Sequence, residues 1–256
     1  MCPACRALIS AQAEQCPFCG AAIGAPGFRM ATGNSFTDRL IPNGKMAAAL
    51  LLLVNVALFV GIRMSGTDRL ARYGAKFLPA ILQGDWYRLI TAGYLHTDFM
   101  HVFFNMISLY NLAPIVEEIY GTRRMFAIYS AATVMGFVLS SYWLPRSPSL
   151  GASAGIFGLL GALVAYGVIN KSMMARYLQT QCLTNAGIGF IMGGILPYID
   201  NAAHLGGMIG GFAVAYFAEL PRRVDDAREK LWGVVSLVCF LMTAWAFFEL
   251  VRAMRQ

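Results

Sequence analysis

Ser153 sits in the string Gly151-Ala152-Ser153-Ala154-Gly155, His204 in Ala202-Ala203-His204-Leu205-Gly206-Gly207, and His101 lies four residues before Asn105. A hydroxyl, an imidazole and side-chain N–H donors are the parts needed for acyl transfer. The imidazole takes the hydroxyl proton, the oxygen attacks a carbonyl, and the donors hold the oxyanion that forms. The chain has 3 histidines, His96, His101 and His204, and each falls near the start of an apolar run. Taken singly, these residues have plain structural roles: a serine among glycines often caps a helix, and a histidine near a span end is often interfacial. Their common placement lifts them above that.

The placement follows from hydropathy. Hydrophobic residues make up 58% of the chain and charged residues 13%, against roughly 25% charged in soluble domains, so much of the chain belongs in lipid. Apolar runs near 20 residues long predict helical spans over 46–62, 101–119, 125–144, 153–169, 178–196, 202–220 and 231–251. The fifth is interrupted by Gly187, Gly189, Gly193 and Gly194. Residues 63–100 form a long loop whose Trp86, Tyr87, Tyr94 and Phe99 suit an interfacial or partly embedded structure. In a serpentine bundle the second, fourth and sixth spans start on one side, which brings His101, Asn105, Ser153 and His204 to one depth. The positive helix ends there favour an oxyanion and an uncharged His204. Small residues at four-residue spacing, Gly207 and Gly211 (with Gly206 and Gly210 beside them) against Ala154, Gly158 and Ala162, allow two helices to approach closely. That approach would bring Ser153 to His204 and lay Phe157 against the imidazole, with Gly151 and Gly207 as supporting positions.

Charge reports topology. The net charge of +7 is too diffuse for a nucleic-acid partner. Of the 20 lysines and arginines, twelve (Arg6, Arg29, Arg39, Lys45, Arg123, Arg124, Lys171, Arg176, Arg222, Arg223, Arg228 and Lys230) share one side when the amino terminus is cytoplasmic, the orientation favoured by the positive-inside rule. The first apolar run begins too late for a cleavable signal peptide. GASAG also fits the nucleophile elbow of soluble hydrolases, but that motif needs a preceding strand, and Pro145-Arg146-Ser147-Pro148 is a loop. Charged residues in mid-span or an internal repeat, the marks of a transporter, are not found.

Cys2-Pro3-Ala4-Cys5 and Cys16-Pro17-Phe18-Cys19 form a separate amino-terminal module. Two such turns can give four thiolates to one tetrahedral structural zinc ion; two disulfides are the alternative, less suited to Cys-x-x-Cys pairs and to a reducing compartment. Cys182 and Cys239 lie at or within apolar runs, as buried thiols do.

Trp86-Tyr87-Arg88, the His96, His101, Asn105 spacing, the stretch GASAGIFG and Ala203-His204 followed by Gly207 and Gly211 resemble the rhomboid intramembrane serine proteases over about residues 46–220. The resemblance implies an all-α polytopic membrane protein with a six-helix core (46–220); the zinc ribbon (1–24) and a linker (25–45) precede that core, and an extra carboxy-terminal transmembrane helix (221–256) follows it. It implies a serine endopeptidase with a Ser153–His204 dyad, no third acidic member and no catalytic cofactor. An oxyanion hole of His101, Asn105 and the Ser153 backbone N–H is implied as well. So are single-span membrane-protein substrates admitted beside the fifth span, and residence in a bacterial cytoplasmic membrane. Ala154 and Phe157 stand where the family commonly has glycine and tyrosine, and neither change removes a catalytic group. A cytoplasmic partner for the ribbon is a further expectation. The alternative is a non-catalytic member that binds and escorts membrane clients.

Overall fold

The computed structural model describes residues 2, 15–21, 45–196, 199–218, 220 and 227–255; Cys5 and the linker residues 25–44 lie outside them. The described elements are helical: α1 (Met46–Met64), α2 (Arg69–Gly74), α3 (Leu78–Leu82), α4 (Arg88–Thr91) continued by a 3-10 turn (Ala92–Tyr94), α5 (Phe99–Tyr120), α6 (Thr122–Trp143), α7 (Ser153–Ile169), α8 (Met173–Ile195), α9 (Asn201–Ala218) and α10 (Ala227–Arg255). Each of the seven long helices overlaps one expected span. Four of them, α1, α5, α6 and α10, are long and apolar enough to cross a membrane, and α7 is apolar over 17 residues.

Boundaries differ from the hydropathy reading because caps, not apolarity, end helices. Asp98 accepts from the backbone N–H of His101 at 3.0 Å, which starts α5 at Phe99. Ser172 accepts from Ala175 N–H at 3.2 Å, which starts α8 at Met173, ahead of the expected span at 178. The chain turns from α5 into α6 at Gly121, whose φ of 79° is unfavourable for a side-chain-bearing residue.

The core is built around α7, in which every residue from Ala154 to Gly167 is buried. It is enclosed by α5, α6, α8 and α9. Several polar groups around this shell are matched. The Glu117 carboxylate accepts from the backbone N–H groups of Ala47 and Ala48 at 3.2 and 2.9 Å and from Thr122 Oγ1 at 2.7 Å, so it caps the otherwise unpaired start of α1. Residues 65–98 are tied back on themselves: Arg88 Nη1 donates to the carbonyls of Arg72 and Ala75, and Thr91 Oγ1 to that of Gly74. Lys76 pairs with Ser149 through two backbone hydrogen bonds of 2.8 and 3.0 Å.

The last helix is fastened at both ends. Arg124 of α6 donates to both carboxylate oxygens of Glu229 at 2.8 Å and through Nε to the Ala218 carbonyl, with the Trp232 ring 5.3 Å away. At the far end, Leu250 packs over Gly74, Phe247 meets Tyr94 edge to face, and Arg69 donates to the Met254 carbonyl. Removing one partner of a buried bidentate pair leaves a charge stranded, at a cost of about 3–5 kcal/mol. Glu229→Gln is therefore expected to lower unfolding stability in detergent by about that amount, and unchanged thermal and denaturant transitions would contradict this role for the pair.

Candidate active site

Helices α6, α7 and α9 meet with almost no side chain between them. A Cβ added at Gly207 would stand 2.1 Å from the Ala154 carbonyl oxygen, one at Gly211 2.1 Å from that of Gly158, and one at Gly161 2.2 Å from that of Met208. The stripe on α7 is therefore Ala154, Gly158 and Gly161. Ala162, expected in it, turns toward α5, where its carbonyl accepts from Tyr120 Oη at 3.1 Å. Gly206 and Gly210 face α6, against Met135.

Ser153 and His204 lie beside this crossing. Ser153 begins α7 beside Ala154, and His204 precedes Gly207 by one turn on α9. Phe157, one turn after Ser153, stacks on His204 with ring centroids 4.0 Å apart and planes 10° from parallel. Phe190 of α8 adds an edge contact to both rings. His204 is 6% exposed, and its Nδ1 has no hydrogen-bond partner among the described residues. Nor is a Ser153–His204 hydrogen bond formed among them; such contacts are often long before substrate is bound.

His101 and Asn105 lie beside Gly151, two residues before Ser153. Gly151 has φ +133°, and a Cβ there would come 2.6 Å from the His101 ring and 3.5 Å from Asn105 Nδ2, so only glycine lets the loop before α7 lie against these donors. Asn105 Nδ2 is 2.9 Å from His96 Nε2, which also accepts from the Ala152 N–H at 3.3 Å. His96 is fully buried. Burial, with His101 beside it, pushes its pKa down to about 3, so its ring is neutral and free to accept. Gly151 N–H in turn donates to the Ala92 carbonyl at 2.8 Å, which joins this loop to residues 65–98.

Sequence reasoning did not single out three further residues. His96 entered only as part of a spacing pattern, yet it fixes the Asn105 amide. Asp200 caps α9: Oδ1 accepts from Ala203 N–H at 2.9 Å, its carbonyl from His204 N–H at 3.1 Å, and Oδ2 from the Ser140 hydroxyl. An acidic residue just ahead of a helix is a cap signal, so Asp200 was recoverable. Lys76 was not: it is fully buried, donating to the carbonyls of Leu144 and Ser147 at 3.1 and 2.8 Å. Burial pushes its pKa down, partly offset by Asp200. These contacts brace the end of α9 that carries His204.

Away from this site, the sulfurs of Cys2, Cys16 and Cys19 lie within 4.8 Å of one another, with Cys2 and Cys19 3.6 Å apart. A disulfide needs about 2.05 Å, whereas thiolates about 2.3 Å from a tetrahedral zinc ion stand roughly 3.8 Å from each other. The donor set fits the metal.

A family model described as Rhomboid domain matches residues 83–221, more than half of the chain. The chain is similar to rhomboid protease GluP of Bacillus subtilis, 36% identical over 204 residues that cover 76% of this chain and 39% of that protein. It is 32% identical to RHOMBOID-like protein 6, mitochondrial, of Arabidopsis thaliana, over 59% of this chain and 50% of that one. It is 29% identical to putative rhomboid protease YdcA of Bacillus subtilis, over 53% and 69%. The chain thus spans about half the length or less of the first two. Substitutions at the crossing give a direct check on the geometry. Gly207→Ala is expected to destabilise by about 1–3 kcal/mol through overpacking. Gly187→Ala, where no atom lies within 4 Å of the added methyl, should be neutral or stabilising by up to about 1 kcal/mol; equal melting transitions for the two variants would contradict the close approach.

Proposed function

The chain belongs to the rhomboid family, and from that membership we propose that it is an intramembrane serine endopeptidase with Ser153 as nucleophile and His204 as general base. One observation carries the reading: Phe157 stacks on His204 one turn from Ser153, where Gly207 rests on the Ala154 carbonyl. Nucleophile and base thus belong to facing helix surfaces whose separation is limited by backbone contact.

In this mechanism His204 removes the Ser153 hydroxyl proton as Oγ bonds to the scissile carbonyl carbon. The carbonyl oxygen becomes an oxyanion held by His101, Asn105 and the Ser153 backbone N–H. Protonated His204 then gives its proton to the departing amine, the C–N bond breaks, and an acyl-enzyme remains. Water, deprotonated by His204, attacks the ester and releases the new carboxylate and Ser153. Asp200 acts on the base through the helix it caps, while Nδ1 of His204 has no acidic partner among the described residues. Substrates are single-span membrane proteins reaching the site laterally past α8, whose Phe190 lies beside Phe157. The amino terminus is cytoplasmic, on the charge asymmetry given above.

Full-length protein in detergent should be labelled at Ser153 by a fluorophosphonate probe and should cut a single-span substrate, with both signals lost in Ser153→Ala. Equal labelling of wild type and Ser153→Ala would sink the assignment. Asn105→Ala is expected to lower kcat about 10²–10³-fold, as for other oxyanion donors, with protein still folded.

We further propose that Cys2, Cys5, Cys16 and Cys19 hold one structural zinc ion. The turn supports it: Cys16 N–H donates to Ala21, Gly20 N–H to Cys16, and Gly20 takes φ 70°. Elemental analysis of the purified chain should find about one zinc per molecule, bound in the tetrahedral four-thiolate manner, and none in a Cys16→Ser, Cys19→Ser double variant. Equal metal content in both would rule the site out.

A further inference from the structure

The last turns of α10 and the loop between α3 and α4 enclose a polar cleft of about 230 Å³, lined chiefly by Gln83, Asp85, Tyr87, Trp245, Glu249 and Arg252. None of these residues belongs to the site above. Charges of both signs meet here in balance. Asp85 Oδ2 takes Arg88 Nε at 2.9 Å and Glu249 Oε2 takes Arg252 Nε at 3.2 Å, and among the described residues neither carboxylate forms another hydrogen bond of normal geometry. Tyr87 is 4% exposed, and its hydroxyl lies beside Asp85, close enough to interact with that carboxylate but without a hydrogen bond of normal geometry. A buried hydroxyl left unpaired is costly, and this one lines the cleft.

Depth narrows the chemistry. The 29 residues of α10 span about 44 Å at 1.5 Å per residue, the thickness of a bilayer with its headgroup layers, about 40–45 Å. Glu249 and Arg252, six and three residues before Arg255, lie roughly 9 and 5 Å from the helix end, which is headgroup depth. Toward the bilayer centre the same helix exposes Trp245 and Phe248, at 49% and 65%, an apolar surface that acyl chains would cover.

We propose that this cleft binds the headgroup of a zwitterionic phospholipid with a primary ammonium, of the phosphatidylethanolamine type. The ammonium N–H groups go to the open carboxylate oxygens of Asp85 and Glu249 and to the Tyr87 oxygen, and the phosphate to Arg252, whose side chain is 62% exposed. The acyl chains lie along α10 over Trp245 and Phe248. A divalent cation is disfavoured because an arginine already compensates each acid. An anionic lipid is disfavoured because Glu249 compensates the one exposed guanidinium. A quaternary ammonium brings no N–H donor for Tyr87 or the carboxylates.

The test is native mass spectrometry of the full chain in detergent with equimolar palmitoyl-oleoyl phosphatidylethanolamine, phosphatidylcholine and phosphatidylglycerol. Phosphatidylethanolamine is expected to bind about tenfold more tightly than the other two. Tyr87→Phe, which removes one oxygen, and Glu249→Gln should each reduce that preference several-fold while melting as wild type does. Equal binding of the three lipids, or a preference unchanged in Tyr87→Phe, overturns the proposal. So does displacement of the bound lipid by equimolar glycerophosphoethanolamine, which would make the ligand a soluble headgroup compound and not a lipid.

Discussion

The structure depends on the contact between backbones where α7 crosses α9. At Gly207 and Gly211 there is no room for a single methyl group, since carbonyl oxygens of the facing helix occupy that space. Without water to be expelled between helices, association in lipid rests on this kind of dispersion contact. The same contact limits how far the first turn of α7 can move from the first turn of α9. Side chains placed on those turns inherit the precision of the crossing, and the stacked Phe157 and His204 rings are its visible result.

Around that crossing, polar groups are used as fasteners. This is an integral membrane protein, so an unpaired N–H or carbonyl within it is expensive, and each loop or helix end must find a partner. Glu117 supplies acceptors for the start of α1, Asp200 for the start of α9, and Lys76 supplies donors for carbonyls after α6. The loop before α7 joins the same system through Gly151 to Ala92 and through Ala152 to His96. Residues 65–98 are thus part of the frame that positions Asn105 and His101, and α10 holds that frame from outside.

Seven helices could be read from the sequence because apolar runs of membrane length have few other uses, and the expectation that Ser153, His204, His101 and Asn105 share one depth came from alternation of helix direction. The glycine stripe was legible in outline. Its register on α7 was not, because Gly161 and Ala162 are both small, and only the crossing angle selects Gly161. His96 and Lys76 could not be assigned, since His96 Nε2 meets the Ala152 amide and Lys76 meets the Leu144 and Ser147 carbonyls, all distant in the chain. Asp200 carried a local cap signal that was open to reading. Phe190 looked like any aromatic in an apolar run, and only the packing of α8 against α7 brings it to His204.

The Arg124–Glu229 pair bears on time as well as on stability. Its partners are separated by 105 positions in the chain, and Glu229 lies in the first turn of α10. At a synthesis rate of about 5–20 residues per second, Arg124 waits roughly 5–20 s for its carboxylate. During that interval the guanidinium must remain hydrated or be held by another group, because burying it alone is strongly unfavourable. The bundle therefore closes at this end only after the start of α10 has been made, and docking of that helix follows synthesis of the helices it packs against.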